Sequence, residues 1–379
     1  MSLSFSLLDN PAAAVYNVGL EIVSAQDIQQ SEYLNLAAGV KGKFFSSDAY
    51  TKIEINGMPM AWSHPVFDSV NPQWNEKFFF NNVPEDSTFR LIVLGTDMDE
   101  GDELGEAQFN TANAKFDPDE MIPLPITLGD RNAGVISIKV NRQQLNADSN
   151  AAIEEVGPVR YSVHSSYTAG VLKKLTSDDE DWKSLAYIVQ LHNVPLYLPD
   201  DNEWNKNYTK IQRVFASDHP EAPILRGLVK TQHAVVYKHE KKSTKYGYLT
   251  SPDDFFHLIR NGMRRGKPVL FTYAITPKGW LFSETGAGFF KDMLSKHMMH
   301  SNTAESVKYA GEFRIEEEDD GTSKLVIDNN SGTYAPSPKR LPQLKLLIEN
   351  NFPGIKCEAL DRENKESVKR RKEILDAWD

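Results

Sequence analysis

At 379 residues with 40% hydrophobic content, the chain is long for one core and divides naturally into two domains of roughly 130 and 200 residues; no run of about eighteen apolar residues is present to span a bilayer as a helix. The formal charge of −11 belongs to the first part: residues 1–150 hold 9 Lys and Arg against 21 Asp and Glu, and residues 151–379 hold 33 against 32. That acidity repels nucleic acid and, without a cation, anionic lipid; the lone Cys357 excludes an internal disulfide and, with a start lacking a basic, apolar leader, points to a cytoplasmic protein.

In chain order, the first dozen residues read as a loose arm and the alternating run over 15–25 as the first strand. Residues 37–45 give the long segment that follows an apolar and basic tip. There Val40, Phe44 and Phe45 are placed to enter lipid shallowly and Lys41 and Lys43 to meet phosphates; alternatively the two phenylalanines pack under the loop. Strands follow at 50–56, 73–80 and 89–94. The last runs straight into Gly95-Thr96-Asp97-Met98-Asp99-Glu100-Gly101-Asp102-Glu103-Leu104-Gly105, where Met98 joins the lipid-contact set. Carboxylates crowded on one turn repel one another, and a hard cation with oxygen ligands relieves this, Ca2+ in preference to Mg2+ at this density. The alternative is a solvated acidic turn. Residues 122–128 and 134–140 read as closing strands. From 146 to 157 the composition turns to Ala, Asn, Ser, Asp and Glu with no apolar face, the mark of a linker.

Four stretches, in order, resemble the markers of a C2 domain: residues 19–28, Ser47-Asp48-Ala49-Tyr50 with Thr51-Lys52-Ile53, Asn71-Pro72-Gln73-Trp74-Asn75-Glu76 with the phenylalanines after it, and Asp97-Met98-Asp99 followed by Asp102-Glu103-Leu104-Gly105. The match covers about 15–143 and implies an eight-stranded antiparallel sandwich whose loops at one end hold Ca2+ and dock on anionic phospholipid. Carried over by position, Asp48, Asp97, Asp99 and Asp102 become the metal ligands. The other first-loop aspartate of the family has no counterpart before Asp48, which implies at least one site of modest affinity; Glu32 is a substitute ligand and Asp27 falls at a non-ligand position. The lysine cluster that some C2 domains use for phosphoinositides is replaced by Met58-Pro59-Met60-Ala61-Trp62.

Residues 158–379 read as an α+β domain. Strands are expected at 185–198, 233–239 and 267–276, the last turning at Pro277-Lys278-Gly279 to pair with 280–282. A helix opens at Pro252 with Ser251 as N-cap and runs to about Met263; another covers 286–299. A hairpin joins 312–317 to 324–328, then come a helix at 341–350, a strand at 355–360 and a charged helix at 365–378, read as solvated and salt-bridged, or as a face for acidic lipid headgroups once the first domain has docked.

His300-Ser301-Asn302-Thr303-Ala304, Ala310-Gly311-Glu312-Phe313 and Ser331-Gly332-Thr333-Tyr334-Ala335-Pro336 resemble a module near the C-termini of Rhs-type polymorphic toxins and some uncharacterised eukaryotic proteins, with Thr333 where that motif has histidine. The resemblance carries no known activity. His300, Glu312, Ser331 and Tyr334 are the catalytic candidates, since imidazole and carboxylate exchange protons while hydroxyls position a substrate. Each also has a structural reading: a helix cap, a strand start, a turn and a packed ring. No zinc spacing or phosphate-cradling glycine loop occurs.

Together these features predict a multidomain protein, an all-β C2 sandwich followed by an α+β domain, that binds phospholipid membranes when Ca2+ rises and is otherwise cytoplasmic. The second domain is an interaction module for a protein partner; the competing readings are a membrane-targeted hydrolase or transferase and a soluble Ca2+-binding scaffold. No nucleic-acid partner is expected.

Overall fold

A computed structural model describes residues 14–28, 48–95, 103–112, 117–145, 151–165, 185–199, 244–285, 307–331 and 336–378. The chain forms two compact units, Met1–Gly157 and Pro158–Asp379.

The first unit contains β1 (Val15–Gln26), β2 (Ala49–Ile55), β3 (Met58–Trp62), β4 (Gln73–Pro84), β5 (Thr88–Gly95), β6 (Glu103–Asn110), β7 (Ile122–Leu128), β8 (Arg131–Leu145) and β9 (Glu154–Val156). Their hydrogen-bonded order is β3-β2-β5-β6-β7-β8-β1-β4-β9, antiparallel throughout. Between β6 and β7 the ladder narrows to the one pair Glu106↔Thr127, so the order folds into two facing layers, a sandwich. Alternation does the sorting: β4 turns Trp74, Glu76, Phe78 and Phe80 inward and Asn75, Lys77 and Phe79 outward. Phe80 meets Phe89 edge to face at 5.9 Å and Phe89 stacks on Phe109 at 4.9 Å. Asn56-Gly57, both at positive φ, close the β2–β3 hairpin as a two-residue loop.

The stretch 146–157, expected as linker, is in part a strand: β9 pairs with Phe79–Asn81, Ile153 is buried in the sandwich core, and the Asn82 side-chain amide donates to the Ala152 carbonyl at 3.1 Å. The strand is held by backbone pairing and a single anchor, so its composition carries no periodic signal.

The second unit contains β10 (Val159–Ser165), β11 (Leu185–Gln190), α1 (Val194–Tyr197), β12 (Lys245–Leu249), α2 (Pro252–Leu258), β13 (Met263–Arg264), β14 (Lys267–Pro268), β15 (Phe271–Thr276), β16 (Gly279–Glu284), β17 (Tyr309–Glu317), β18 (Ser323–Asp328), α3 (Leu341–Asn351), β19 (Lys356–Leu360) and α4 (Lys365–Asp376). Its main sheet runs β12-β10-β11-β16-β15-β17-β18-β19. The pairs are antiparallel except β18–β19, which is parallel because α3 carries the chain across between them.

The two faces of this sheet differ in chemistry. One is aromatic: Phe255 of α2 stacks on Trp280 at 5.3 Å and Phe271 on Phe313 at 4.7 Å, while Leu344, Leu347 and Ile348 of α3 complete the core. On the other face the register lines up His164, Ala186, Ser283, Thr272 and Glu312 across five neighbouring strands, every one buried.

The expected strand over 185–198 stops at Gln190. Asn193 turns at φ 63° and Pro195, which has no amide hydrogen for a ladder, opens α1 instead. The helix from Ser251 has the expected cap, closed reciprocally by Asp254. It ends at Leu258 rather than Met263, because Arg260, Asn261 and Gly262 all take positive φ. Residues 233–239 and 286–299 lie outside the described residues.

Candidate functional site

Asp48 immediately precedes β2, whose first residue, Ala49, is paired with Gly95 at the end of β5. Leu94 in turn pairs with Glu103. Gly95 and Glu103, the described residues on either side of 96–102, therefore lie at the sheet end that Asp48 enters; Asp97, Met98, Asp99 and Asp102 lie outside the described residues, as do Glu32, Val40, Lys41, Lys43, Phe44 and Phe45. Asp48 is half-buried and its Oδ1 accepts the Asp68 amide at 3.1 Å, which fixes the carboxylate at the strand end. The 63–72 connection beneath is tied down by the Ala49–Val66 bridge and by the Trp74 indole donating to the Ala49 carbonyl at 3.2 Å. Deeper in, Glu76 accepts the His64 amide at 2.8 Å. Asp27 closes β1, exposed and at φ 55°, its amide donating to Asn71.

Among the described residues no group of three or more His, Cys, Asp or Glu side chains gathers into a cation site. Asp48 nonetheless fits a hard cation as a donor: an oriented anionic oxygen at the end of a rigid strand. No helix among the described residues is long and apolar enough to cross a membrane.

In the second unit, Glu312 of β17 and Ser331 are described and both fully buried, whereas His300 and Tyr334 are not among the described residues. Arg371 of α4 grips Glu312 with two nitrogens, Nε on Oε2 and Nη2 on Oε1, the latter at 3.1 Å. The Asn330 side-chain amide donates to Glu312 Oε2 at 2.8 Å. Asp328 Oδ1 accepts the amides of Glu312 and Asn330 at 2.9 and 2.8 Å, and the buried Tyr273 hydroxyl donates to the Asp328 carbonyl at 2.7 Å. Burial, with Glu312 close by, pushes the Asp328 carboxyl up to about 6. The Glu312 hydrogen bond and charge raise the already basic Arg371 further.

Of the residues singled out from the sequence, Glu312 lies in this cluster; Asp328, Asn330 and Arg371 were not singled out. The available signal for Arg371 was spacing: Ser367, Arg371 and Ile374 share one face of α4, and that face turns inward. The opposite face is solvated, with Lys369 and Arg370 both paired to Glu373, as expected.

Residues 17–125 match the C2 domain family model. Similar solved structures include a C2 domain of plant extended synaptotagmin 1 (18% identity, 36% of this chain and 99% of that one, TM-score 0.28). A C2 domain-containing protein from a putative elicitor-responsive gene is also similar (16% identity, 40% and 100%, TM-score 0.28). So is human GIVD cytosolic phospholipase A2 (13% identity, 41% and 23%, TM-score 0.28), of which this chain spans less than a quarter. No curated protein matches. The antiparallel sandwich and the matched span together make residues 17–125 a C2 domain, a module of the class that binds Ca2+ or membrane surfaces in general, followed by an α+β unit beyond the span that the family model covers.

Proposed function

We propose that the protein docks on anionic phospholipid membranes when Ca2+ rises, with Asp48, Asp97, Asp99 and Asp102 as ligands and Val40, Lys41, Lys43, Phe44, Phe45 and Met98 as the lipid contacts. The observation that supports this most directly is the β2–β5–β6 register, in which Ala49, next to Asp48, pairs with Gly95, and Leu94 with Glu103. The first part of the chain is strongly acidic, so it stays off anionic lipid until a cation reverses the local sign. A bound Ca2+ supplies that positive charge; Asp48, held by the Asp68 amide, presents an oxygen without having to reorganise.

The second unit is an interaction module for a protein partner on this reading. Both Glu312 oxygens are engaged by Arg371 and one also by Asn330, which leaves the carboxylate poorly placed to meet a substrate proton and weighs against Glu312 as a general base. Two measurements test the proposal together. Calorimetric titration with Ca2+ is expected to give heat for the wild type and none for the Asp97→Asn, Asp99→Asn double variant. Sedimentation with phosphatidylserine vesicles is expected to need Ca2+ and to fail for that variant. Heat without sedimentation would leave a Ca2+-binding scaffold and remove the membrane.

A further inference from the structure

The helix α4 is attached to the second unit by polar contacts. Arg371 meets Glu312, Ser367 Oγ meets Arg314 Nη1 at 3.1 Å, the Trp378 indole donates to the Pro268 carbonyl at 2.8 Å, and Lys267 Nζ donates to the Ala377 carbonyl at 2.7 Å. The Arg264 guanidinium lies over the Trp378 ring, 4.0 Å from its centroid. Within α4 itself Ser367 and Ile374 are the buried residues. An amphipathic helix is ordinarily kept in place by its apolar face; this one has little of it. Of its other residues only Val368, exposed, and Leu375, half-buried, are apolar and the rest are charged, so an undocked helix stays soluble.

The residues that surround Arg371 are also tied to one another outside the helix. Asp328 Oδ1 is pinned by two backbone amides, the Asn330 side chain orients Glu312 Oε2, and Glu312 projects from the centre of a sheet strand. Gly311 permits this: a Cβ there would collide with the Asp328 carbonyl oxygen. A preorganised carboxylate with both oxygens aimed at one planar donor selects guanidinium over ammonium, because only the fork makes two parallel bonds.

We propose that Glu312, Asn330 and Asp328 form a guanidinium receptor, that Arg371 occupies it in cis, and that its exchangeable ligand is an arginine in a basic peptide segment of a partner protein. The strap and the incoming arginine compete for one seat. Occupancy by the partner then releases residues 365–378 from the sheet. The proposal is independent of Ca2+ and lipid, so its outcome and that of the membrane reading separate.

Chemical rescue tests it on the full chain. In Arg371→Ala, amide exchange over 365–378 is expected to speed up by about tenfold or more while β15, β17 and β18 stay protected. Methylguanidinium is expected to bind the variant and methylammonium not to. A synthetic peptide of residues 365–378 is expected to bind the variant, and the same peptide with Arg371→Lys is expected to bind at least about tenfold more weakly. If the helix of Arg371→Ala exchanges no faster than wild type, or if methylguanidinium and methylammonium act alike, the receptor is excluded. Should the variant lose its fold, recovery of the near-ultraviolet circular dichroism by methylguanidinium alone supports the receptor, and failure to recover overturns it.

Discussion

Among the described residues, Asp328 is a carboxyl whose burial ties stability to pH. Its folded carboxyl is pushed up to about 6 from an ordinary 3.8 by burial beside Glu312, so the folded state prefers the protonated form. The stability tied to that proton is fully present below about 4 and is lost as pH rises through about 6, a change on the order of 3 kcal/mol. Asp328→Asn keeps an oxygen for the amides of Glu312 and Asn330 and removes the charge. Urea midpoints measured from pH 4 to 7 are therefore expected to be flatter for the variant than for wild type in this window. Gly311→Ala is expected to cost about 3 kcal/mol, because the new methyl meets backbone rather than a side chain that can swing away; an unchanged denaturation midpoint would refute it. The sequence showed Ala310-Gly311-Glu312 as a motif, but the reason for its glycine lies in Asp328, seventeen positions on, and no local pattern carries that.

At the level of elements, what could be read was what local chemistry writes. The Ser251 cap, the Pro277-Lys278-Gly279 turn, the 312–328 hairpin and most strands of the sandwich follow alternation and turn residues that act over a few positions. Ser251→Ala is expected to cost about 1 kcal/mol, and Phe255→Ala, which removes the ring between Trp280 and Phe352, about 3–5 kcal/mol; thermal or urea unfolding measures both. The elements not foreseen are those whose partners are remote. β9 exists because β4 offers an edge, and β3, read only as the place of a missing lysine cluster, exists because Asn56-Gly57 turns it back on β2. A fragment ending at 157 is accordingly expected to be more stable than one ending at 145, by about 1–2 kcal/mol for an anchor such as Ile153. Equal unfolding midpoints for the two fragments would show that β9 contributes nothing.

Across the whole molecule, what the sequence could point to was a stretch of acids after a strand end, and strand register alone sets Asp48 beside Gly95, where that stretch begins. The receptor for Arg371 was not legible, since it joins β17, the 328–331 turn and α4 across 59 positions of chain. The same contrast shows in Cys357, the one cysteine in 379 residues. It is buried on β19 under α3, and burial pushes its thiol up to about 12. A thiol so protonated and covered does not react with maleimide while the sheet is intact, so a cysteine engineered at the exposed Val368 will carry the only fluorophore on the folded protein. The native background is silent by construction, and the departure of the C-terminal strap from the sheet can be followed by the emission of that one dye.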